Sequence, residues 1–297
     1  MRIGIDIGGS KIAAIAINSD GILLSKTQIP VSQNYSELLS SIFSILDSLE
    51  TNLNMKSTSL GISVAGHLSL NGNILSAANL PWIVGKDLRS ELRQAFPNCK
   101  ISIANDAKCF AIAESYDGAG ANSKLVFGAT LGTGVGGGIV FDGNVLDGVH
   151  GICSEWGHIP MPWRKDDDGD SRLCACGKFN CIESWINGKS LSTDYQKLSG
   201  NYLDAKMITK KEIEGDPLAS KALKLYSDRL ARALAMIVNI LDPDIIVLGG
   251  GLSEIKSIYN DIPIKMRPFT IIEKTSTRIV KADHGQISSA LGAARLV

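Results

Sequence analysis

The chain has no excess of charge: its 297 residues carry 30 Lys plus Arg against 30 Asp plus Glu. Such a balance leaves no electrostatic footprint for nucleic acid or for an anionic membrane. No uninterrupted apolar run is long enough to cross a bilayer. The longest candidate, Leu230 to Leu241, runs into Asp242-Pro243-Asp244. A signal peptide is not expected either, because Asp6 interrupts the only apolar start. There is no charged tail and no linker of biased composition. The expected compartment is therefore the cytoplasm, with no membrane partner. The apolar fraction, 44%, is that of an ordinary globular protein, and the length suffices for two compact domains or one large one.

Cysteine is scarce, six in all, yet Cys174, Cys176 and Cys181 fall within eight positions. With His158 upstream they supply the four N/S ligands that tetrahedral zinc wants. A disulfide from Cys174 or Cys176 to Cys181 is the competing reading in an oxidising compartment. Cysteine clusters in cytosolic chains favour the metal, and four protein ligands make the zinc structural, with no open position for catalysis. Glu155 and Glu183 bracket this loop, so its task reads as placing carboxylates. Cys99, Cys109 and Cys153 are scattered among apolar residues, as reduced buried thiols are. The acidic run Asp166-Asp167-Asp168-Gly169-Asp170 reads as a solvated loop, since it lacks the closing glutamate of a calcium loop.

The order of elements follows from periodicity. Arg2 to Ile7 reads as a buried strand, Lys11 to Ile17 as its hairpin partner, and Ile22 to Ile29 as a third strand. Leu38, Leu39, Ile42, Ile45, Leu46 and Leu49 give helical spacing over Tyr35 to Leu53. Strands are expected at Leu60 to Val64 and Ile101 to Ala104, and a helix at Asp106 to Tyr116 with Asn105 or Asp106 near its cap. The pattern then restarts: Leu125 to Leu131 and Gly136 to Phe141 form a second glycine-linked hairpin, so the chain reads as two related halves. A 3.6-residue stripe through Leu218, Ala222, Leu225, Leu230, Leu234, Ile237 and Leu241 ends at Pro243. Ile245 to Leu248 reads as a strand leading to a new helix, and Ser288 to Leu296 as a terminal helix.

Three glycine clusters end or join strands: Gly8-Gly9-Ser10-Lys11, Gly132-Thr133-Gly134 and Gly249-Gly250-Gly251. Glycine lets backbone N–H groups approach phosphate oxygens without a clash, and a helix N-terminus favours an anion. Any one cluster alone reads best as a tight turn. Three together, one following Asp6, point to a nucleotide triphosphate, although none matches the Walker pattern or the dinucleotide fingerprint. Asp6 is placed to hold Mg²⁺, for which one carboxylate plus phosphates suffices. Asn105-Asp106 sits between a strand and a helix. There Asp106 can accept a hydroxyl proton while Asn105 holds a neighbouring hydroxyl, or the pair can simply cap the helix.

These residues resemble the ROK sugar kinases. The resemblance is carried by Asp6 to Lys11, Asn105-Asp106-Ala107, Leu131 to Gly138, Glu155-Trp156-Gly157-His158, Cys174-Ala175-Cys176-Gly177 with Cys181-Ile182-Glu183, and Leu248 to Gly251, in that order and over essentially the whole chain. It implies an α/β fold of the actin-like ATPase (ribonuclease H-like) kind, two α/β domains around a cleft. Residues 1–117 plus 287–297 would form the N-terminal domain and 118–286 the C-terminal domain with the zinc loop. It implies ATP at Gly8, Gly9, Ser10, Lys11, Gly132, Thr133 and Gly134, with Gly249, Gly250, Gly251 and Leu252 near the adenosine. It makes Asp106 the general base, and Asn105, Glu155, His158 and Glu183 sugar-hydroxyl ligands approached by Gly66 and Asn79. His158 would then face both zinc and sugar.

The implied partners are a small-molecule sugar and a second copy of the chain, as dimer or tetramer. A helix-turn-helix ahead of Asp6 finds no room, which disfavours DNA. Pro160-Met161-Pro162-Trp163 after the Glu155 motif, with Tyr195 to Gly200 and Asn239 to Asp244, bring the fructokinase/mannokinase type closest, so fructose or mannose leads. An N-acetylglucosamine or glucose kinase is the alternative, and a non-catalytic sugar sensor a further one. Ser154, Lys108, Asn180 and Gln286 depart from the usual pattern. Asn180 fits if its backbone takes a positive φ.

Overall fold

The buried strands at the start of the chain form the first layer. The computed structural model describes residues 1–69 and 71–296. In it β1 (Arg2–Ile7) pairs antiparallel with β2 (Lys11–Ile17), and β2 with β3 (Leu23–Pro30), one residue later at its start than the pattern predicts. Next come α1 (Tyr35–Leu53), β4 (Ser59–Val64), a small ribbon of β5 (His67–Leu68) and β6 (Ile74–Ser76), α2 (Leu88–Ala95), β7 (Lys100–Asn105) and α3 (Asp106–Asp117). Asn34 caps α1 by accepting from the Glu37 N–H, as a capping asparagine should. Ile3, Ile5 and Ile7 of β1 join Leu60, Ile62 and Val64 of β4 in one core with α1. The opposite face carries small residues, Gly4 and Gly61, and there a helix can come close.

The second half follows as β8 (Leu125–Leu131), β9 (Val135–Phe141), β10 (Asn144–Val145), α4 (Glu183–Ile186), α5 (Gly188–Ser199), α6 (Ala205–Ile213), α7 (Pro217–Leu241), β11 (Ile245–Gly249), α8 (Ser257–Lys265), β12 (Arg278–Lys281) and α9 (Ser288–Ala293). The first sheet is ordered β3-β2-β1-β4-β7 and the second β10-β9-β8-β11-β12. Each reads third, second, first, fourth, fifth in its own half, so the repeat suggested by the two hairpins is a repeat of topology.

Local chemistry sets the ends of α7. Asp216 caps it, Pro217 occupies the first turn, and Asp242 leaves it at φ +47 just before Pro243. Leu218 of the apolar stripe is exposed, because the first turn of α7 extends past the core. No helix starts directly after Gly249-Gly250-Gly251. A short 3₁₀ turn, Gly251–Glu254, intervenes, and α8 begins at Ser257. The terminal helix stops at Ala293.

Two compact units result. The first comprises Met1–Asn122, Gly138–Cys153 and Asp283–Val297, and the second Ser123–Gly137 and Ser154–Ala282. Gly138–Cys153, which the sequence division places in the second domain, groups with the first unit. So does α9, which packs on β1, β4 and α3.

The acidic run is solvated at Asp166, Asp167 and Asp170, as expected, but not at Asp168. Asp168 is 5% exposed and receives bonds from both Arg229 and Arg232 of α7. Asp194 of α5 pairs with Arg229 and Arg172, and Arg172 lies over the Trp185 ring, 4.1 Å from its centroid. Buried charges of both signs are thus mutually satisfied beside the cysteine loop. Of the isolated thiols, Cys109 is buried, whereas Cys99 and Cys153 are only partly so.

Candidate active site

In the first unit the predicted residues gather at the ends of β1, β4 and β7. Asp6 is held by the Ser63 hydroxyl, which donates to its Oδ1 at 2.6 Å. Burial pushes the Asp6 carboxyl up, against the Ser63 bond and the Lys11 charge, which lower it. A desolvated carboxylate with so little compensation gains from a nearby cation, so Asp6 fits the Mg²⁺ role. A Cβ on Gly9 would lie 2.7 Å from the Asn79 Cβ, and one on Gly66 only 2.4 Å from the Ser76 carbonyl oxygen, so these loops are closely nested. Lys11 donates to Gln28 and Gln286, so the amide at 286, one of the departures from the pattern, meets the end of the Gly8–Lys11 turn.

Asn105 caps α3. Its Oδ1 accepts from the Ala107 N–H at 2.9 Å and its Nδ2 donates to the Gly66 carbonyl at 2.9 Å. The cap and the functional reading coexist: the cap fixes the Gly66 loop, and one amide N–H beyond the Gly66 bond is left for a ligand. Asp106 is the first residue of α3, where the helix dipole favours its anion.

In the second unit the Gly132 turn closes with its N–H on the Gly134 carbonyl at 3.0 Å, and its own carbonyl accepts from Gly188 at 2.9 Å. Gly250, at φ +80, would place a Cβ 2.4 Å from the Leu131 carbonyl oxygen, so both the torsion and the space require glycine there. Gly132, Thr133, Gly251 and Leu252 border one cavity of about 1110 Å³. Its far wall is built by α5 and α6 with Gln196, Tyr202, Thr209 and Ile213. The sequence reading missed that wall, since neither helix carries a glycine motif.

The cysteine loop brings all four predicted ligands together. The donor atoms of His158, Cys174, Cys176 and Cys181 lie within 4.8 Å of one another. Cys174 Sγ is 3.6 Å from His158 Nδ1, and Cys176 Sγ is 3.6 Å from Cys181 Sγ. A tetrahedral zinc with Zn–S of about 2.3 Å and Zn–N of about 2.0 Å needs edges of about 3.8 and 3.6 Å, so the set fits this ion. Burial pushes the Cys174 thiol up to about 12, a penalty that coordination of the thiolate removes.

The other ring nitrogen, His158 Nε2, lies 3.9 Å from Glu155 Oε2, so the imidazole addresses thiols on one side and a carboxylate on the other. Glu183 links two loops: its Oε2 accepts from the Val135 N–H at 2.9 Å, and its Oε1 lies 3.6 Å from Cys174 Sγ. Ser154 takes φ +71, a left-handed torsion that glycine adopts more easily than serine, and its hydroxyl donates to the Gly137 carbonyl at 2.8 Å. Asn180 takes φ +61, as its place before Cys181 requires.

Glycine turns edge a cavity in the second unit and an Asn-Asp pair begins a helix in the first, residue types that a nucleotide-dependent phosphotransferase employs. The chain belongs to the ROK family, whose model matches residues 2–297. It is similar to the N-acetyl-D-glucosamine kinase of Pectobacterium atrosepticum, 33% identical over 100% of this chain and 98% of that protein. Among solved structures it is similar to a ROK hexokinase from Thermus thermophilus, with TM-score 0.87, 26% identity, and 99% and 96% of the two chains covered. A ROK glucokinase from Streptomyces griseus, in complex with glucose and AMPPNP, gives TM-score 0.82 at 26% identity over 100% and 98% of the chains. The fold is therefore the actin-like ATPase fold. Among the described residues no helix is long and apolar enough to cross a membrane.

Proposed function

We propose that the chain transfers the γ-phosphate of ATP to N-acetylglucosamine, at its 6-hydroxyl. That it is an ATP-dependent sugar kinase follows from family membership and from whole-length likeness to a kinase. The sugar is the finer point. The tryptophan motif after Glu155 favours fructose and mannose, with N-acetylglucosamine or glucose behind them. The observation that carries the choice is the 33% identity, over the whole chain, to an N-acetylglucosamine kinase.

Phosphoryl transfer depends on positioning and on charge neutralisation. Asp106, at the start of α3, takes the acceptor hydroxyl proton. Asn105 holds the Gly66 loop and offers its remaining N–H to a sugar oxygen. Glu155 and His158 supply an acceptor and a ring nitrogen for hydroxyls. Glu183 has one oxygen on Val135, so it fixes the Gly132 turn while its second oxygen stays near the cysteine loop. The Gly132 and Gly8 turns hold phosphate oxygens through backbone N–H groups. Asp6 would hold Mg²⁺, which neutralises charge on the phosphates. His158, Cys174, Cys176 and Cys181 would hold zinc, which braces the loop carrying Glu155 and Glu183.

The test is ADP release from Mg-ATP with N-acetylglucosamine, N-acetylmannosamine, glucose, mannose and fructose. N-acetylglucosamine is expected to give the strongest signal. A dominant signal with fructose or mannose would restore the order that the tryptophan motif suggests, and silence with all five would favour a sugar sensor. Asp106→Asn should lower turnover about 10³-fold while sugar binding persists. Ordinary turnover in that variant would remove Asp106 from its role.

A further inference from the structure

Lys108 stands two residues after Asp106 on α3, in a place where its charge has no obvious use. Its side chain is 7% exposed. Its ammonium donates to Asp147 Oδ1 at 2.7 Å and to the Gly151 carbonyl at 3.0 Å. Desolvating an ammonium is costly unless both charge and hydrogen bonds are returned, and this pair returns both. The carboxylate partner is about half exposed, so the pair is buried on one side only.

The segment it grips is a strap. Gly148 and Gly151 turn it at φ +71 and +72, and the Gly151 N–H reaches the Gly148 carbonyl at 3.3 Å. The Cys153 N–H closes on the Asp147 carbonyl at 3.2 Å. Asp147 thus serves the latch with its side chain and the turn with its backbone. The strap runs directly into Ser154 and Glu155, and Ser154 is tied in turn to the Gly137 carbonyl. The side chain that interrupts the usual pattern on α3 is therefore the one that holds the strap leading to the sugar loop.

We infer that Lys108 is a positioning residue for the acceptor sugar: its ammonium latches the 147–153 strap to α3 and so fixes where Glu155 begins. This rests on the sugar-kinase reading above. The latch touches no nucleotide-binding turn, so loosening it should affect the sugar and spare ATP.

Asp147→Asn and Lys108→Met are compared with the unaltered chain in two measurements. Hydrogen exchange of the 146–155 peptide reads the latch without turnover, and exchange about tenfold faster is expected in each variant, the worth of one charge-assisted hydrogen bond. Steady-state kinetics should show KM for the sugar raised about tenfold and KM for ATP within about twofold. The double variant should lose little more than either single one, because both remove the same latch.

Unchanged exchange in the strap overturns the inference, as does a sugar KM that stays put or moves together with that for ATP. Asp147 is half exposed, so its variant carries the test should Lys108→Met not fold. An unaltered chain silent with every sugar would sink the kinase reading, while exchange would still decide the latch.

Discussion

The two units hold their functional loops by different physics. In the first, backbone meets backbone. A Cβ on Gly4 would fall 1.9 Å from the Ala290 carbonyl oxygen, one on Gly61 1.7 Å from that of Ala293, and one on Gly292 1.7 Å from that of Cys109. The helix α9 packs closely on β1, which carries Asp6, on β4 and on α3, which begins at Asp106. In the second, charge does the holding. Asp168, Asp194, Arg172, Arg229 and Arg232 interlock behind the cysteine loop, and four soft donors converge within it. A site fixed by backbone proximity tolerates changes of solvent but not an added methyl. A site fixed by ions tolerates changes of shape but not neutralisation or chelation.

The sharpest way to separate the two regimes is to remove the metal. Zinc bound at a thousand times its dissociation constant stabilises by about 4 kcal/mol, on the order of 10 °C in a unit of this size. Chelator at neutral pH should therefore lower the melting temperature by roughly that amount. Exchange should accelerate in the 155–183 segment while α9 keeps its protection. Equal loosening of both regions would erase the distinction. A chain that melts unchanged after chelation, with no zinc found in it by metal analysis, would remove the ion from the loop.

Asp168→Ala comes next. It removes the carboxylate that Arg229 and Arg232, both fully buried, share, and leaves them only Asp194 and Asp228 respectively. Breaking a buried pair in this way costs about 3 kcal/mol or more. Acid should imitate the substitution. Burial alone would raise the Asp168 carboxyl, but bonds from Arg232, the Lys165 N–H and Arg229 outweigh it and hold the group well below the usual carboxylate range. A carboxyl depressed on folding contributes its full stability above its unfolded value of about 3.9 and loses it as pH falls further. Denaturant titrations at pH 6 and pH 3 should differ more for the unaltered chain than for Asp168→Ala. Equal differences would show that the cluster contributes nothing to acid stability.

What was legible in the sequence was what local chemistry writes. The strands β1 and β2, the end of α7 before Pro243, and the left-handed residue before Cys181 are each decided within a few positions. The His158, Cys174, Cys176 and Cys181 cluster was legible because three of the four stand in one loop. Asp168 was not: its partners lie 61 and 64 residues away, on a helix read only by its apolar stripe. A run of four acids within five residues looks solvated until the fold brings arginines to one of them. Lys108 was legible only as a departure, because its partners lie 39 and 43 residues on, in a strap with no periodicity. The cavity wall from α5 and α6 was invisible for a similar reason. Its side chains follow no spacing rule, and only the convergence of Gly132 and Gly251 gives them a common target.

The smallest expected effect is the most direct test of the backbone regime. In Gly61→Ala the new methyl points at the Ala293 carbonyl, which belongs to a helix end and cannot rotate away as a side chain would. Overpacking of this kind costs about 2 kcal/mol, and relief has to come from α9 moving as a body. Strand pairing on either side of Gly61 need not change, since β4 keeps Ile62 and Leu60 in the other core. The loss should therefore appear as faster exchange and proteolysis of 288–296, with chelator sensitivity of the cysteine loop unaltered. A Gly61→Ala variant whose terminal segment stays as protected as before would mean that α9 has slack. The contrast between a unit held by fit and a unit held by charge would then rest on the second unit alone.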